Sequence, residues 1–349
     1  MNKIRISIIL LLSIFILGIG TKSFEQELTG DEIDQLIKKM IDARLRHQFM
    51  GDLMIKRFGD KQPRIFRKRI WVDSTNRIRD EIIFPDKKKS IIRILNEDDF
   101  ETIVDGKSIL SRQRRHFKPR FPFSKRIEEN YDFNIVDGGI IAGRETKLVV
   151  VKPKLKDRTN FKYWIDKETG IVLKKEVLRL EGENLIPIYE KSFTNIDYKP
   201  PMRPDLFRIK NKRIRSIPVP PLKTEEYKTI EQARKSINFP FLTPMNLPEG
   251  YQLDRIRITK ERENSTIHLN YSNGITSFSI FQTRGVIPPN FRRIFREENK
   301  SMEDIIEIER ENRHIFFRKV GPFNMTLIGN CSKELLIPVI KSISPKHNP

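Results

Sequence analysis

Short runs rich in Ile, Val, Phe and Trp, broken repeatedly by turn residues, fill the chain from Asp52 to Tyr198. "DLMIKRF", "RIFRKRIWV", "RIRDEIIF", "SIIRILN" and "DFETIVDGKSILS" succeed one another as an antiparallel meander. Within it, Asp105 and Gly106 mark a two-residue hairpin turn. Further strands are expected in "FNIVDGGIIAGRETKLVVVKP" and "YEKSFTNIDY". Between them a hairpin runs from Phe161 to Asp166, turns over Lys167 to Gly170 and returns from Ile171 to Leu178, with Gly170 able to take positive φ. Ahead of the strands, Ile33, Leu36, Ile37, Met40, Ile41 and Leu45 recur at the spacing of one helical stripe, and Thr29 with Glu32 fits a capping box. A single sheet must cover its apolar face with something. The spacing therefore predicts an α+β arrangement: one curved antiparallel sheet wrapped on the leading helix.

Pro200, Pro201, Pro204, Pro218, Pro220 and Pro221 crowd the stretch from Tyr198 to Glu226, removing donors and forbidding regular structure. The expected organisation is a leader over 1–20, a sheet-and-helix domain over 21–199, a proline-rich linker over 200–226 and a smaller α+β domain over 227–349. That last domain opens with a short helix in "TIEQARKSI", capped by Thr229 and Gln232. It continues in "YQLDRIRITKE", "STIHLNYSNGITSFSIFQTRG", "HIFFRKVG" and "FNMTLIGN", where Asn273 and Gly274 give the strongest hairpin signal. A closing helix starts at Ser332 in "SKELLIPVIKSI", with Pro338 expected to kink or delay it. Asp98 and Asp99 read as a turn, and the acidic run from Glu303 to Glu311 as a solvated helical face.

Lys3 and Arg5 precede the apolar run Ile6 to Gly20, with Gly18 and Gly20 where a signal peptidase would cut. We read a cleavable export signal; an uncleaved amino-terminal anchor is the competing reading, and both put the bulk of the chain outside the cytoplasm. Cys331 is the only cysteine, so no intrachain disulfide forms and the fold depends on burial. The formal net charge is +21. Behind an export signal the accessible polyanions are lipid headgroups, lipopolysaccharide phosphates and acidic protein tails, not nucleic acid. A plain solvated basic surface accounts for the charge equally well.

No pair among His47, His116, His268, His314 and His347 has the spacing of a helical metal site, and Cys331 has no histidine near it in sequence. With no glycine-rich nucleotide loop and no serine elbow, the chain is expected to be no enzyme and to carry no cofactor or metal. One stretch does suit a partner. From Ser111 to Arg126, Arg112, Arg114, Arg115, Lys118 and Arg120 interleave with Phe117, Phe121 and Phe123. Such a loop fits peripheral contact with anionic lipid or lipopolysaccharide, or else runs solvated with its rings tucked under the sheet.

Two pieces, "IIAGRETKLVVVKPK" with Ala142, Gly143, Arg144 and Pro153, and "YWIDKETGIVLKKEVL" with Asp166, Thr169 and Gly170, resemble the amino-terminal domain of the MucB/RseB family of periplasmic sigma-E regulatory proteins. "NLPEGYQL", "YSNGITSFSIF" and "LIGNCSKELLIPVIKSI" resemble that family's carboxy-terminal domain, in the same order. The resemblance implies a lipoprotein-carrier-like half-barrel with an apolar cavity. It also implies a non-enzymatic protein that binds the extracytoplasmic region of a transmembrane anti-sigma factor and responds to lipid, lipopolysaccharide or lipoprotein. A periplasmic carrier of lipid or lipoprotein is the alternative on the same half-barrel, and an envelope hydrolase with a hidden site a third. On this reading Phe66, Ile70, Val72, Ile82, Phe84, Ile92, Ile94, Tyr163 and Ile165 are the cavity candidates, since a strand gives every second residue to one face; ordinary core beneath the helix is the competing reading for each. Three features depart from the family pattern: "DRTNFKYW" before the hairpin, Asn273 where an aspartate is expected, and the basic insertion from Arg112 to Arg126.

Overall fold

The computed structural model describes residues 26–59, 62–75, 77–84, 90–96, 99–111, 124–155, 158–208, 223–261, 264–285, 304–310 and 313–345. The first sheet and its helices run β1 (Gln26–Glu27), α1 (Gly30–Arg46), β2 (Phe49–Arg57), β3 (Arg64–Val72), β4 (Ile78–Ile83), β5 (Ser90–Asn96), β6 (Asp99–Val104), β7 (Lys107–Ser111), α2 (Ser124–Asn130), β8 (Tyr131–Ile141), β9 (Arg144–Pro153), β10 (Asn160–Asp166), β11 (Val172–Glu181) and β12 (Asn184–Asp197). They form one open antiparallel sheet of 12 strands in the order β1-β8-β9-β10-β11-β12-β2-β3-β4-β5-β6-β7. It is the expected half-barrel on a helix. The second sheet has 7 strands, in the order β13-β14-β15-β16-β19-β18-β17. Its elements are β13 (Lys223–Tyr227), α3 (Ile230–Arg234), β14 (Gln252–Glu261), β15 (Asn264–Ser272), β16 (Ser277–Arg284), β17 (Ile306–Arg310), β18 (Arg313–Val320), β19 (Phe323–Gly329) and α4 (Lys333–Ser342).

α1 begins where its sequence asks it to. Glu32 Oε2 accepts hydrogen bonds from Thr29 N and Thr29 Oγ1, both at 2.9 Å, at the positive end of the helix. Ile33, Leu36, Ile37 and Met40 pack on Val149, Val151, Phe161 and Ile165, while Ala43 joins Phe49, Leu53 and Leu173. Leu45 does not share that stripe. It lies roughly a third of a turn round from Ile33 and is 49% exposed. In the second half, Gln232 N donates to Thr229 Oγ1 at 3.2 Å, the cap expected for α3. α4 runs unbroken through Pro338. Within the acidic run, Ile306–Arg310 is a strand rather than a helical face: Ile306 and Ile308 alternate with Glu307 and Glu309, and Ile306 pairs with Phe317, both fully buried; Glu303 and Glu311 lie outside the described residues. Period two, not charge, decided that segment.

Two turns in the first sheet fix how α1 is held. Between β8 and β9, Ala142 (φ 50°) and Gly143 (φ 76°) make a two-residue turn of the hairpin type. Asp105 (φ 49°) and Gly106 (φ 76°) do the same between β6 and β7. Arg144, at the start of β9, reaches across to the β10–β11 turn, where its Nε donates to Asp166 Oδ2 at 2.8 Å and its Nη2 to Oδ1 at 3.2 Å. Asp166 also accepts from Glu168 N (2.9 Å), Thr169 N (3.1 Å) and Tyr198 OH (3.0 Å). The carboxylate is 1% exposed. Burial alone would raise its pKa, but the guanidinium, the two amides and the phenol more than offset that and hold it below the usual aspartate value. Gly170 closes the turn at φ 79°, and a Cβ there would stand 3.3 Å from Ala43 Cβ and from Lys39 Cγ of α1. The turn thus carries the helix directly.

The two sheets meet through α2. Ile127 is 3% exposed, and Arg126 Nη1 donates to Asp254 Oδ1 at 2.8 Å. Asn273, 1% exposed, accepts at Oδ1 from Ile275 N (3.2 Å) and Thr276 N (2.9 Å), bending the β15–β16 connection, while its Nδ2 donates to Tyr131 OH on β8 at 2.8 Å. An aspartate has no hydrogen to donate there. Gly274 must be glycine: its φ is 101°, and a Cβ would approach Ile127 Cγ1 to 2.6 Å. Tyr251 OH then joins Thr276 Oγ1 at 2.5 Å and Cys331 Sγ at 3.0 Å, and Arg158 Nη2 donates to Glu249 O at 3.0 Å.

Arg144→Ala should cost about 3 kcal/mol in urea unfolding at pH 7, the low end for breaking a buried pair because other donors remain on Asp166. Asp166 has a depressed folded pKa, so its contribution is present above the unfolded value of about 3.9 and lost as pH falls through the lower folded one. The gap between native and variant should therefore narrow below about pH 4; a gap that stays constant from pH 7 to pH 3 contradicts this. Tyr131→Phe keeps the ring but strands the Asn273 amide, and should cost about 1–3 kcal/mol in the same measurement.

Candidate functional site

Register fixes which side chains share the face that bears α1. Tyr163 pairs with Lys175, Lys175 with Lys191, Lys191 with Ile55 and Ile55 with Phe66, so one row crosses β10, β11, β12, β2 and β3 on a single face. The neighbouring row holds Phe161, Val177, Tyr189, Arg57 and Arg64. α1 covers Phe161 and Ile165, each 4% exposed, whereas Tyr163, Lys175, Val177, Ile55 and Phe66 are half-buried. This half-covered wall is the candidate site.

Of the sequence-predicted wall residues, Phe66, Ile70, Val72 and Ile82 lie on that face together with Tyr163 and Ile165, and Phe84 continues from Ile82 just past the end of β4. Val72 is packed core with Phe49 and Leu53, and Ile70 and Ile78 pack half-buried against that cluster. Ile92 and Ile94 lie on the opposite face, because Ile82 pairs with Ile91 and Asp80 with Arg93. There Ile94 is 1% exposed, opposite Arg79, whose Nη1 donates to Leu206 O at 3.1 Å. The short turn Pro204–Phe207 is laid over that outer face, with Arg77 5.0 Å above the Phe207 ring. Alternation within a strand was legible; the register between strands was not. Arg112, Arg114, Arg115, Phe117, Arg120, Phe121 and Phe123 lie outside the described residues.

Two cations on the inner wall missed by the sequence reading stand out. Lys175 Nζ lies 5.2 Å from the Phe161 centroid and 5.2 Å from that of Tyr163, and burial lowers its pKa. Arg57 sits 5.0 Å over Phe66 with its Nε buried and without a hydrogen-bond partner among the described residues. Alternation hid the first of these: Lys174, its neighbour, faces the other way and is ion-paired with Glu176 at 2.7 Å. Elsewhere, Cys331 is buried beneath Tyr251, and burial pushes its thiol up, which suits packing rather than nucleophilic attack. His268 stacks on Phe281 at 4.3 Å, and burial followed by nearby Arg257 and Arg255 brings it down to about 4. Among the described residues no group of three His, Cys, Asp or Glu is arranged to hold a metal ion, and no helix is long and apolar enough to cross a membrane.

The sequence profile of the MucB/RseB N-terminal domain matches residues 32–211. No curated protein matches the sequence. Among solved structures, MucB in complex with MucA(peri) is similar with a TM-score of 0.52 at 17% identity, covering 89% of this chain and 98% of that one. The Pseudomonas aeruginosa MucA/MucB complex gives a TM-score of 0.53 at 17% identity, covering 90% and 99%. The fold likeness thus spans both sheets, and the profile spans more than half of the sequence, from α1 to the turn after β12: the chain belongs to the MucB/RseB family.

Proposed function

We propose that this protein is an extracytoplasmic, non-enzymatic regulator that binds the outer part of a transmembrane anti-sigma factor, and that an amphiphile on the inner wall of the half-barrel modulates that binding to report envelope stress. The observation that carries the reading is the end-to-end likeness, both sheets included, to a MucB solved with MucA(peri) bound. The buried junction between the sheets supports it: Asn273, Tyr131 and Arg126 make the two units one body on which a partner can rest. A carrier that only ferries lipid needs the half-barrel and its cargo, not a second sheet latched to it. Half-covered aromatic and aliphatic side chains beside α1 supply the surface for the amphiphile.

Tagged protein incubated with detergent-solubilised membranes from its own cell should retain one single-span protein. The recombinant outer segment of that protein should bind on its own with a Kd of about 1 μM or tighter. Purified protein that retains no membrane protein but carries stoichiometric acyl chains would instead favour carriage.

A further inference from the structure

One end of the outer face of the first sheet is apolar and bare. Lys174 and Glu176 point outward, so Leu178 and Leu180 beyond them do too, and Leu180 pairs with Leu185 across the β11–β12 hairpin. Ile65 pairs with Lys56, which is opposite Glu190, and Ile83 pairs with Arg67; both therefore stand on that face, at the same end of β3 and β4. With Ile186 at the hairpin tip, these are five of the nine exposed large apolar side chains among the described residues, so their gathering at one end is not chance scatter. The hairpin overhangs its neighbours: β10 begins at Asn160, opposite Leu178, and the last bond from β2 runs from Phe58 N to Ile188 O at 3.1 Å. At the other end of β4 and β5 the chain closes the outer face itself, with Pro204–Phe207 over Ile94 and Arg79.

Behind the apolar end, two successive outer rows are basic. One runs Lys162, Glu176, Glu190 and Lys56, and the next Trp164, Lys174, Ser192, Met54 and Arg67. Four cations against two carboxylates leave a surplus of two. Arg67 is exposed, and Lys174 Nζ stands 4.5 Å over the Trp164 ring. Aliphatic groups with an indole and long cations behind them suit the boundary of a bilayer, where each meets the acyl layer, the headgroups and the phosphates in turn. The formal net charge of +21 chooses between occupants, since it repels a second copy and attracts an anionic surface. We propose that this end of the outer face docks on an anionic phospholipid bilayer, with Leu180, Leu185, Ile65 and Ile83 entering the headgroup boundary and the basic rows resting on phosphate. The surface is separate from the inner wall, and it would seat the protein where the outer segment of a membrane protein emerges.

Co-sedimentation of the purified protein with phosphatidylglycerol vesicles and with phosphatidylcholine vesicles tests this. Binding to the anionic vesicles should be about thirtyfold tighter, the effect of two surplus basic residues near such a surface. The double change Leu180→Ser and Leu185→Ser removes side chains that no other part of the protein covers. It should weaken binding to phosphatidylglycerol about tenfold and leave the urea midpoint in place. Ile140→Ser, at the exposed tip of the β8–β9 hairpin and the opposite end of the sheet, should leave binding within about twofold. Equal binding to the two vesicles, native-like binding by the double variant, or an equal loss in Ile140→Ser overturns the assignment. So does a dimer in analytical ultracentrifugation that the double change dissolves, for the occupant is then a second copy. Anti-sigma factor binding is measured without vesicles, so these failures leave that reading standing.

Discussion

Everything that makes the inner wall usable depends on where α1 sits, and that is set by the buried carboxylate of Asp166. Five donors converge on it from the β8–β9 hairpin, the β10–β11 turn and Tyr198 at the end of β12. The result is a clasp: two successive hairpins are tied at their tips, and the clasped turn, through Gly170, is the seat of the C-terminal half of α1. A helix docked only by its apolar stripe can slide along a sheet of similar residues. Tied at one end, it covers β8 to β10 and leaves the strip from Tyr163 to Phe66 half open.

A second constraint comes from the far side of the sheet. The outer face of β4 and β5 is closed by the chain itself, as Pro204–Phe207 lies over Ile94 and Arg79, so only the inner wall is left to a ligand there. The junction at Asn273 and Tyr131 then joins this open half-barrel to the second sheet through buried, directional bonds. Contacts of that kind hold geometry more tightly than apolar packing does, because a small rotation leaves a donor or acceptor unmatched. The α1 cluster and the second sheet are thus joined through β8, which carries Tyr131 at one end and contributes Phe133 and Ile135 to that cluster.

Much of this was legible in the sequence wherever local chemistry decides the outcome. The strand series, the turn at Asp105 and Gly106, and the Thr229 cap follow from period and turn residues alone. The two motifs "AGRETKLVVV" and "DKETG" were visible as separate family signatures. Their meeting as Arg144 on Asp166 was not, because it depends on the pairing of β9 with β10. Register also decided Ile92 and Ile94, where strict alternation was read correctly within the strand but assigned to the wrong wall. Lys175 was hidden for the same reason: in "VLKKEV" the two lysines look alike, yet one belongs to the outer ion-pair ladder and the other to the oily side. Asn273 looked like a turn residue only, and its second bond reaches a tyrosine 142 positions away.

The clasp is tested most directly by a double-mutant cycle on Arg144→Ala and Asp166→Asn, read by urea unfolding at pH 7. The account predicts a coupling of about 1–3 kcal/mol, because each single change strands the partner's buried group and the double change does not. A coupling within about 0.3 kcal/mol of zero would show that the two turns hold their places independently, and that α1 owes its position to packing alone.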